Sequence, residues 1–166
     1  MEKPAVNLIF QVALCVENME QTLENWRKIF DFDESTIVRK STKDAYEREN
    51  WNGLNYNEQP CEFFHKFCRF SLGGLDIEII EPLDKSPGNP YSDFLIEHGS
   101  GIHHLGVKIG NQPALMKTMK EMGIPRYNYS EMGPVLADGS RKGCTFYDLR
   151  ELLGVILECG SVVVGP

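Results

Sequence analysis

The sequence predicts an α+β fold built from two tandem modules, each with the order strand, helix and three further strands. The first observation is that this order occurs twice along the chain. The second is that an offset of 93 residues superposes the candidate helix caps Asn18 and Asn111 and keeps apolar positions aligned. Agreement of the two signals indicates an internal duplication. We expect the 166 residues to form a single domain over 1–166.

The first module is expected over about 6–82 and contains one helix after its first strand. The helix is predicted over 19–30, because apolar residues recur there at helical spacing after the N-cap Asn18. Residues 41–60 are polar and contain an Asn-Gly pair, so we expect a long loop. The strands of this module are predicted over 7–16, 36–39, 63–72 and 75–80, the last two joined in a hairpin at Gly73 and Gly74.

The second module is expected over about 100–160 and follows a turn-rich connector over 83–99, which ends in a short helix at 91–98. The module's own helix is predicted over 114–122, because Asn111 is a suitable N-cap. Its strands are predicted over 103–109, 126–129, 144–147 and 154–159, and residues 135–136 and 144–147 flank a turn at Asp138 and Gly139.

Composition and charge narrow the function classes. The formal net charge is −7 and the isoelectric point is about 5.1, which argues against nonspecific binding to nucleic acid or to an anionic membrane. The five cysteines are scattered and form no CxxC pair, as expected for reduced thiols. We find no signal-peptide pattern and no apolar run of about 18 residues. These observations predict a cytoplasmic protein.

Strand alternation separates the two adjacent histidines in the motif GIHHLGVKI. Neighbouring residues on a strand point to opposite faces, so at most one of His103 and His104 is expected to face a given site. His103 shares its face with the large apolar residues of the strand, whereas His104 shares its face with a glycine and a lysine. The first strand of the chain likewise has a face of small or polar residues that includes Gln11. We therefore expect a cavity beside Gln11 and His104, and we assign His103 to packing.

Two acids interrupt the closing strands of the modules. Glu78 lies between Ile77 and Ile79 and has the opposite parity, and Glu158 is the only acid within an apolar strand. A buried, unpaired carboxylate costs several kcal/mol, so each acid needs a cation, a partner or solvent. Taken singly, each is also explained by a solvated sheet face, and His104 by a structural role. Their occurrence with Gln11 at matched places in two repeats favours a common site.

These features resemble the vicinal oxygen chelate superfamily, which includes glyoxalases, methylmalonyl-CoA epimerases and extradiol dioxygenases. The resemblance extends from about residue 6 to residue 159, and GIHHLGVKI and LGVILE are its most specific parts. It implies a half-open mixed β barrel with helices outside, formed around one divalent metal. The ligands that it implies are Gln11, Glu78, His104 and Glu158.

Within the superfamily, three functions stay open. Residues 77–109 resemble methylmalonyl-CoA epimerases in spacing, although those enzymes usually have histidine where this chain has Gln11. The set Gln, Glu, His and Glu is similar to that of glyoxalase I, but Cys15 and Pro82 stand where that family has its glutathione-binding arginine and asparagine. The third function is a non-catalytic binding module of the bleomycin-resistance type. Extradiol dioxygenases use two histidine ligands, and this chain has only His104 at a ligand position.

The resemblance also implies the chemistry. The metal would be Zn, Co, Ni, Mn or Mg, and it would activate a carbonyl next to the carbon that loses a proton. Glu158 would take the proton, and Glu78 would be the second acid or base. The expected partners are a small-molecule substrate such as an acyl-CoA or another thioester and a second copy of the chain in a homodimer.

Other polar residues have two explanations at this point. Arg69 and Lys108 could contact an anionic substrate, or they could be solvated charges on a sheet face. His65 lies on the same predicted strand face as Arg69 and is equally undecided. The segment 41–60 is aromatic, and we expect it to cover the mouth of the site or to form a dimer contact.

Overall fold

The structure is a computed structural model that describes residues 3–134, 136–137 and 140–164. Its helices are α1 (Met19–Ile29), α2 (Thr42–Glu49), α3 (Pro90–His98), α4 (Gln112–Glu121) and α5 (Arg150–Leu153), with a 3-10 turn at Glu34–Thr36. Its strands are β1 (Val6–Cys15), β2 (Val38–Ser41), β3 (Gly53–Tyr56), β4 (Gln59–Pro60), β5 (His65–Leu72), β6 (Leu75–Pro82), β7 (Gly101–Ile109), β8 (Asn128–Glu131), β9 (Ser140–Gly143), β10 (Thr145–Leu149), β11 (Val155–Glu158) and β12 (Ser161–Val164).

Ten strands form one large sheet in the order β2-β5-β6-β1-β7-β11-β10-β8-β3-β4. Strand β1 is parallel to β6 and β7 is parallel to β11, while the other pairs are antiparallel. The end strands β2 and β4 do not pair with each other in the described part of the chain, so the sheet stays open. The predicted α+β, half-open architecture is confirmed.

The repeat is visible in the sheet order. Strands β1, β2, β5 and β6 form one half, and β7, β8, β10 and β11 form the other, with β1 and β7 antiparallel at the centre. Both predicted helix caps are confirmed. The Asn18 side chain accepts a hydrogen bond from the backbone N–H of Gln21 at 2.9 Å, and Asn111 accepts one from Ala114 at 3.0 Å. Each cap satisfies a backbone donor that the first turn of the helix leaves free.

The prediction of a long loop over 41–60 is wrong. The segment contains α2, β3 and β4, and β3 pairs with β8, so an insertion in the first half extends the edge of the second half. Helix α2 has no buried residue, and Leu54 is the only buried residue of β3, so neither element shows a clear apolar period. Their stability depends on long-range pairing, which a local pattern does not record.

Several smaller boundaries differ from those expected. The strand predicted at 126–129 is displaced to Asn128–Glu131, and the strand predicted at 36–39 begins at Val38 after the 3-10 turn. A further pair, β9 with β12, was not predicted. Leu136 lies outside any strand, while Val135 and the predicted turn at 138–139 lie outside the described residues.

One helix covers the outer face of each half of the sheet. Helix α1 packs through Leu23 and Met19 on Phe70 and Ile79, and α4 packs through Leu115 and Met119 in a second cluster with β7 and β10. The helices therefore leave the opposite sheet face free for a cavity. No helix in the described ranges is long and apolar enough to span a membrane.

The packing of α1 predicts a large difference between two substitutions on the same helix. Leu23 is 0% exposed and Ile29 is 70% exposed. We expect Leu23→Ala to lower the free energy of unfolding by about 2–5 kcal/mol, because it removes buried methyl groups and leaves a cavity. Ile29→Ala, the matched control, should change it by less than about 0.5 kcal/mol. Urea denaturation of both variants measures this, and equal losses would contradict the packing described here.

Candidate metal centre

A cavity of about 830 Å³ lies on the sheet face opposite α1 and α4. Such a volume is typical of small-molecule sites. The structure brings all four ligand candidates to its wall: Gln11, Glu78, His104 and Glu158. They come from β1, β6, β7 and β11, the four adjacent strands at the centre of the sheet.

Strand register explains why two of these side chains converge. Gly106 of β7 pairs with Gln11 of β1 on one side and with Glu158 of β11 on the other. Residues paired across neighbouring strands share a face, so Gln11 and Glu158 flank a position that has no side chain. A Cβ at Gly106 would lie 2.9 Å from Cβ and 3.1 Å from Oε1 of Gln11. Glycine is therefore needed at this position for the close approach of Gln11.

The other two candidates flank a second small residue. Ala13 of β1 pairs with Glu78 of β6 and with His104 of β7. Its methyl group is fully buried and leaves the space above it to the longer side chains on either side. The four candidates thus converge over Gly106 and Ala13, the small residues that line the sheet centre.

The distances place two carboxylates around one imidazole nitrogen. Nε2 of His104 lies 3.2 Å from Oε2 of Glu158 and 3.9 Å from Oε2 of Glu78. Nε2 of His104 and Oε1 of Gln11 are both buried and have no hydrogen-bond partner of good geometry. Unpartnered buried polar atoms are rare in proteins and point to a missing ligand.

The two carboxylates experience opposite environments. Burial and the charge of Glu158 raise the pKa of Glu78 to about 8, although Arg69 acts in the other direction. Burial alone would also raise the pKa of Glu158, but the neighbouring His104 and Cys144 lower it below its usual value. The repulsion between two buried acids is the kind that a bound cation relieves.

The donor atoms fit a divalent ion in type. Three oxygens and one imidazole nitrogen suit a hard or borderline metal. Among the described residues, no three or more His, Cys, Asp or Glu side chains are arranged so that they alone could hold a metal ion. The assignment of a metal site therefore requires the amide oxygen of Gln11 as a fourth ligand. It is supported by Oε1 of Gln11 and Nε2 of His104, which are buried without a hydrogen-bond partner.

Sequence reasoning missed one contact of His103. Its ring packs against Tyr91 and Phe94, as the strand alternation predicts, with ring centroids 5.0 and 4.9 Å away. Its Nδ1 also lies 2.9 Å from Nδ1 of His104. Strand alternation alone does not predict this contact, because it places the two side chains on opposite faces.

Two further residues beside the acids gained no assignment from the sequence. Burial and the charge of His104 lower the pKa of His65 to about 3, and its Nδ1 has no partner. Cys144 lines the cavity with Glu158, and burial together with the charge of Glu158 raises the pKa of the Cys144 thiol well above its usual value. The alternation of β5 is the signal that would have placed His65 at the cavity, whereas Cys144 lies between β9 and β10 and is outside either strand.

Cations surround the acidic centre, although the chain as a whole is acidic. Arg69 lies 4.0 Å from Glu78 and lines the cavity wall. Helix α2 and Trp51 also line the cavity, so the insertion at 41–60 forms part of its wall. The basic residues that line the cavity are Lys40, Arg48, Arg69, Lys108 and Lys142.

The close approach at Gly106 predicts a strong effect of a single methyl group. Gly106→Ala should lower the free energy of unfolding by about 1–3 kcal/mol, because the Cβ of Gln11 cannot move without its strand. Gly101→Ala on the same strand is the matched control, since a Cβ there has nothing within 4 Å. Urea denaturation of both variants measures the difference. A Gly106→Ala variant as stable as the control would show that the two strands are not held this closely.

Solved structures of similar fold include several epimerases. Methylmalonyl-CoA epimerase in complex with methylmalonyl-CoA and NH4+ is 18% identical, with a TM-score of 0.54 over 95% of this chain and 94% of that chain. A single-residue variant of the Streptomyces coelicolor epimerase, in complex with 2-nitronate-propionyl-CoA, is 19% identical, with a TM-score of 0.54 over 98% of this chain and 100% of that chain. A hypothetical protein from Bacillus halodurans C-125 is 17% identical, with a TM-score of 0.53 over 96% and 94%.

These likenesses concern the fold, because the identities are low. No curated protein matches the sequence. The sequence profile described as the glyoxalase/bleomycin resistance protein/dioxygenase superfamily matches residues 10–141, which is most of the chain. The chain belongs to the glyoxalase/bleomycin resistance protein/dioxygenase superfamily.

Proposed function

We propose that this protein is a metal-dependent isomerase that abstracts a proton next to a carbonyl group, in the manner of methylmalonyl-CoA epimerase. The observation that carries the proposal is the convergence of Glu78 and Glu158 on Nε2 of His104 in a buried cavity, beside the orphaned Oε1 of Gln11. The similarity in fold to epimerase structures supports it.

In this proposal, Gln11, Glu78, His104 and Glu158 hold one divalent ion. When bound, the ion supplies a Lewis acid that polarises the substrate carbonyl and makes the neighbouring C–H more acidic. The strands rather than loops position all four ligands, which keeps their geometry rigid.

The two glutamates divide the proton transfer between two faces of the substrate. A carboxylate oxygen of Glu158 takes the proton from the carbon next to the carbonyl. Glu78, whose Oε2 lies 3.9 Å from Nε2 of His104, would return a proton to the opposite face of the substrate, so that the configuration at carbon is inverted. Oε2 of Glu158 lies 3.2 Å from Nε2 of His104, within the same group of ligand atoms.

The cavity lining favours an anionic acyl thioester as the substrate. Five basic side chains line a cavity of about 830 Å³ in a protein of net charge −7. A concentration of positive charge around an opening attracts phosphates and carboxylates. Coenzyme A thioesters carry such groups, and the two epimerase structures hold ligands of this class.

Glyoxalase I is the second candidate, because the donor set Gln, Glu, His and Glu is similar to that of glyoxalase I. Its reaction uses the same step, proton removal next to a carbonyl. Turnover of the hemithioacetal of methylglyoxal and glutathione, without exchange on methylmalonyl-CoA, would favour it. Cys15 is buried at the position where the glutathione-binding arginine is expected, which weighs against this candidate.

The decisive experiment is solvent exchange at carbon. We expect the metal-loaded protein in D2O to incorporate deuterium at C2 of methylmalonyl-CoA, as followed by mass spectrometry. Glu158→Gln should slow exchange at least about 100-fold, because it removes the base. Glu97→Gln, at an exposed acid outside the cavity, is the control and should exchange at the original rate. No exchange by the protein with its native residues would refute the epimerase assignment.

The basic cavity wall predicts a defect in substrate binding. Lys108→Ala should raise KM for a coenzyme A thioester by about 3- to 10-fold with a much smaller change in kcat, because the lost contact acts equally before and during the reaction. The control Lys117→Ala changes a lysine that is 68% exposed on α4. Steady-state kinetics at two salt concentrations measures both variants. An unchanged KM in Lys108→Ala would remove this residue from the substrate contact.

A further inference from the structure

We propose that His103 is a positioning residue: it accepts the Nδ1–H of His104 and so keeps Nε2 of His104 free to bind the metal. The inference rests on the proposed function, because that proposal makes Nε2 a ligand atom. His103 is not one of the four proposed ligands. Its proposed role is to determine which ring nitrogen of His104 carries the proton.

A β-bulge brings the two rings together. Ala13 pairs with His104, but the next residue, Leu14, pairs with Ile102, so His103 is the extra residue on β7. Bulges disturb the alternation of side chains and re-aim them, often next to active sites. The result is a distance of 2.9 Å between the two Nδ1 atoms, with the rings almost perpendicular at 85°.

One nitrogen of this pair must donate and the other must accept. Two lone pairs at 2.9 Å would repel, and two N–H groups would collide. Both rings are buried, with exposures of 2% for His103 and 1% for His104, so water does not replace the bond. The hydrogen bond therefore couples the tautomers of the two rings.

The surroundings of His103 favour the acceptor role for its Nδ1. Its ring lies among the aromatic rings of Tyr91, Phe94 and Tyr127, and no described carboxylate pairs with it, which favours a neutral ring. A metal ion bound at Nε2 of His104 leaves the proton of that ring on Nδ1, 2.9 Å from Nδ1 of His103. In the metal-bound protein, Nδ1 of His103 must therefore accept this proton, and the ring of His103 carries its own proton on Nε2.

The consequence appears at the other end of His104. With its Nδ1 donating to His103, the Nε2 atom presents a lone pair toward the two carboxylates. The reverse arrangement would place a proton on Nε2 and block the ligand position. Partners that fix the second nitrogen of a metal-binding histidine in this way change metal affinity by about 10- to 100-fold.

The tautomer can be read directly by 15N NMR of the protein with its native residues, without metal and with Zn²⁺. With Zn²⁺ bound, we expect Nδ1 of His104 to be protonated and Nε2 of His104 to shift from its metal-free position. An unprotonated Nδ1 on His104 in the Zn²⁺-bound protein would overturn the proposal. This measurement uses no substrate, and the absence of any shift on addition of Zn²⁺ would count against the proposed function.

Variants test the same point through metal affinity. His103→Phe keeps an aromatic ring among its neighbours but cannot accept, so we expect Zn²⁺ to bind about 10- to 100-fold more weakly. His103→Asn places an amide oxygen near the former Nδ1 and should recover most of that loss. His98→Phe, at a half-exposed histidine outside the cavity, is the control. Equal Zn²⁺ affinities in His103→Phe and His103→Asn, with both variants folded by circular dichroism, would overturn the proposal.

Discussion

The antiparallel pairing of β1 with β7 at the centre of the sheet is the constraint on which the site depends. Ala13 pairs with Glu78 and His104, and Gly106 pairs with Gln11 and Glu158, so that four long side chains meet over two small residues. A larger side chain at Gly106 would collide with Gln11. The fold therefore builds the site from strand register, and the loops contribute mainly to its rim.

Much of this arrangement follows from local sequence patterns. Alternation along the strands of Gln11 and His104 placed each on the face of small or polar residues, because a period of two is a property of each strand alone. The helix caps at Asn18 and Asn111 could be predicted for a similar reason, because each side chain accepts a hydrogen bond from the first turn of the helix that follows it. The resemblance to a known superfamily added Glu78 and Glu158 to the same site, and it added the assembly of these strands around one centre.

The features that could not be predicted depend on partners distant in sequence. Strand β3 forms only because β8 offers an edge, so its four residues carry no strong pattern of their own. The bulge at His103 arises from a register shift between β1 and β7, and neither strand records that shift separately. Strict alternation therefore assigned His103 to packing alone, whereas the structure also places its Nδ1 against His104.

The arrangement has an energetic consequence for the metal-free protein. Unpartnered buried polar atoms cost about 1–3 kcal/mol each, and Gln11 and His104 both contribute one. The repulsion that raises the pKa of Glu78 adds to this cost. A protein of this size has a free energy of unfolding of only about 5–15 kcal/mol, so the site lowers the stability of the metal-free protein substantially. A cation that bound the native state alone would satisfy these atoms together, so occupancy and stability would be coupled through the same four side chains.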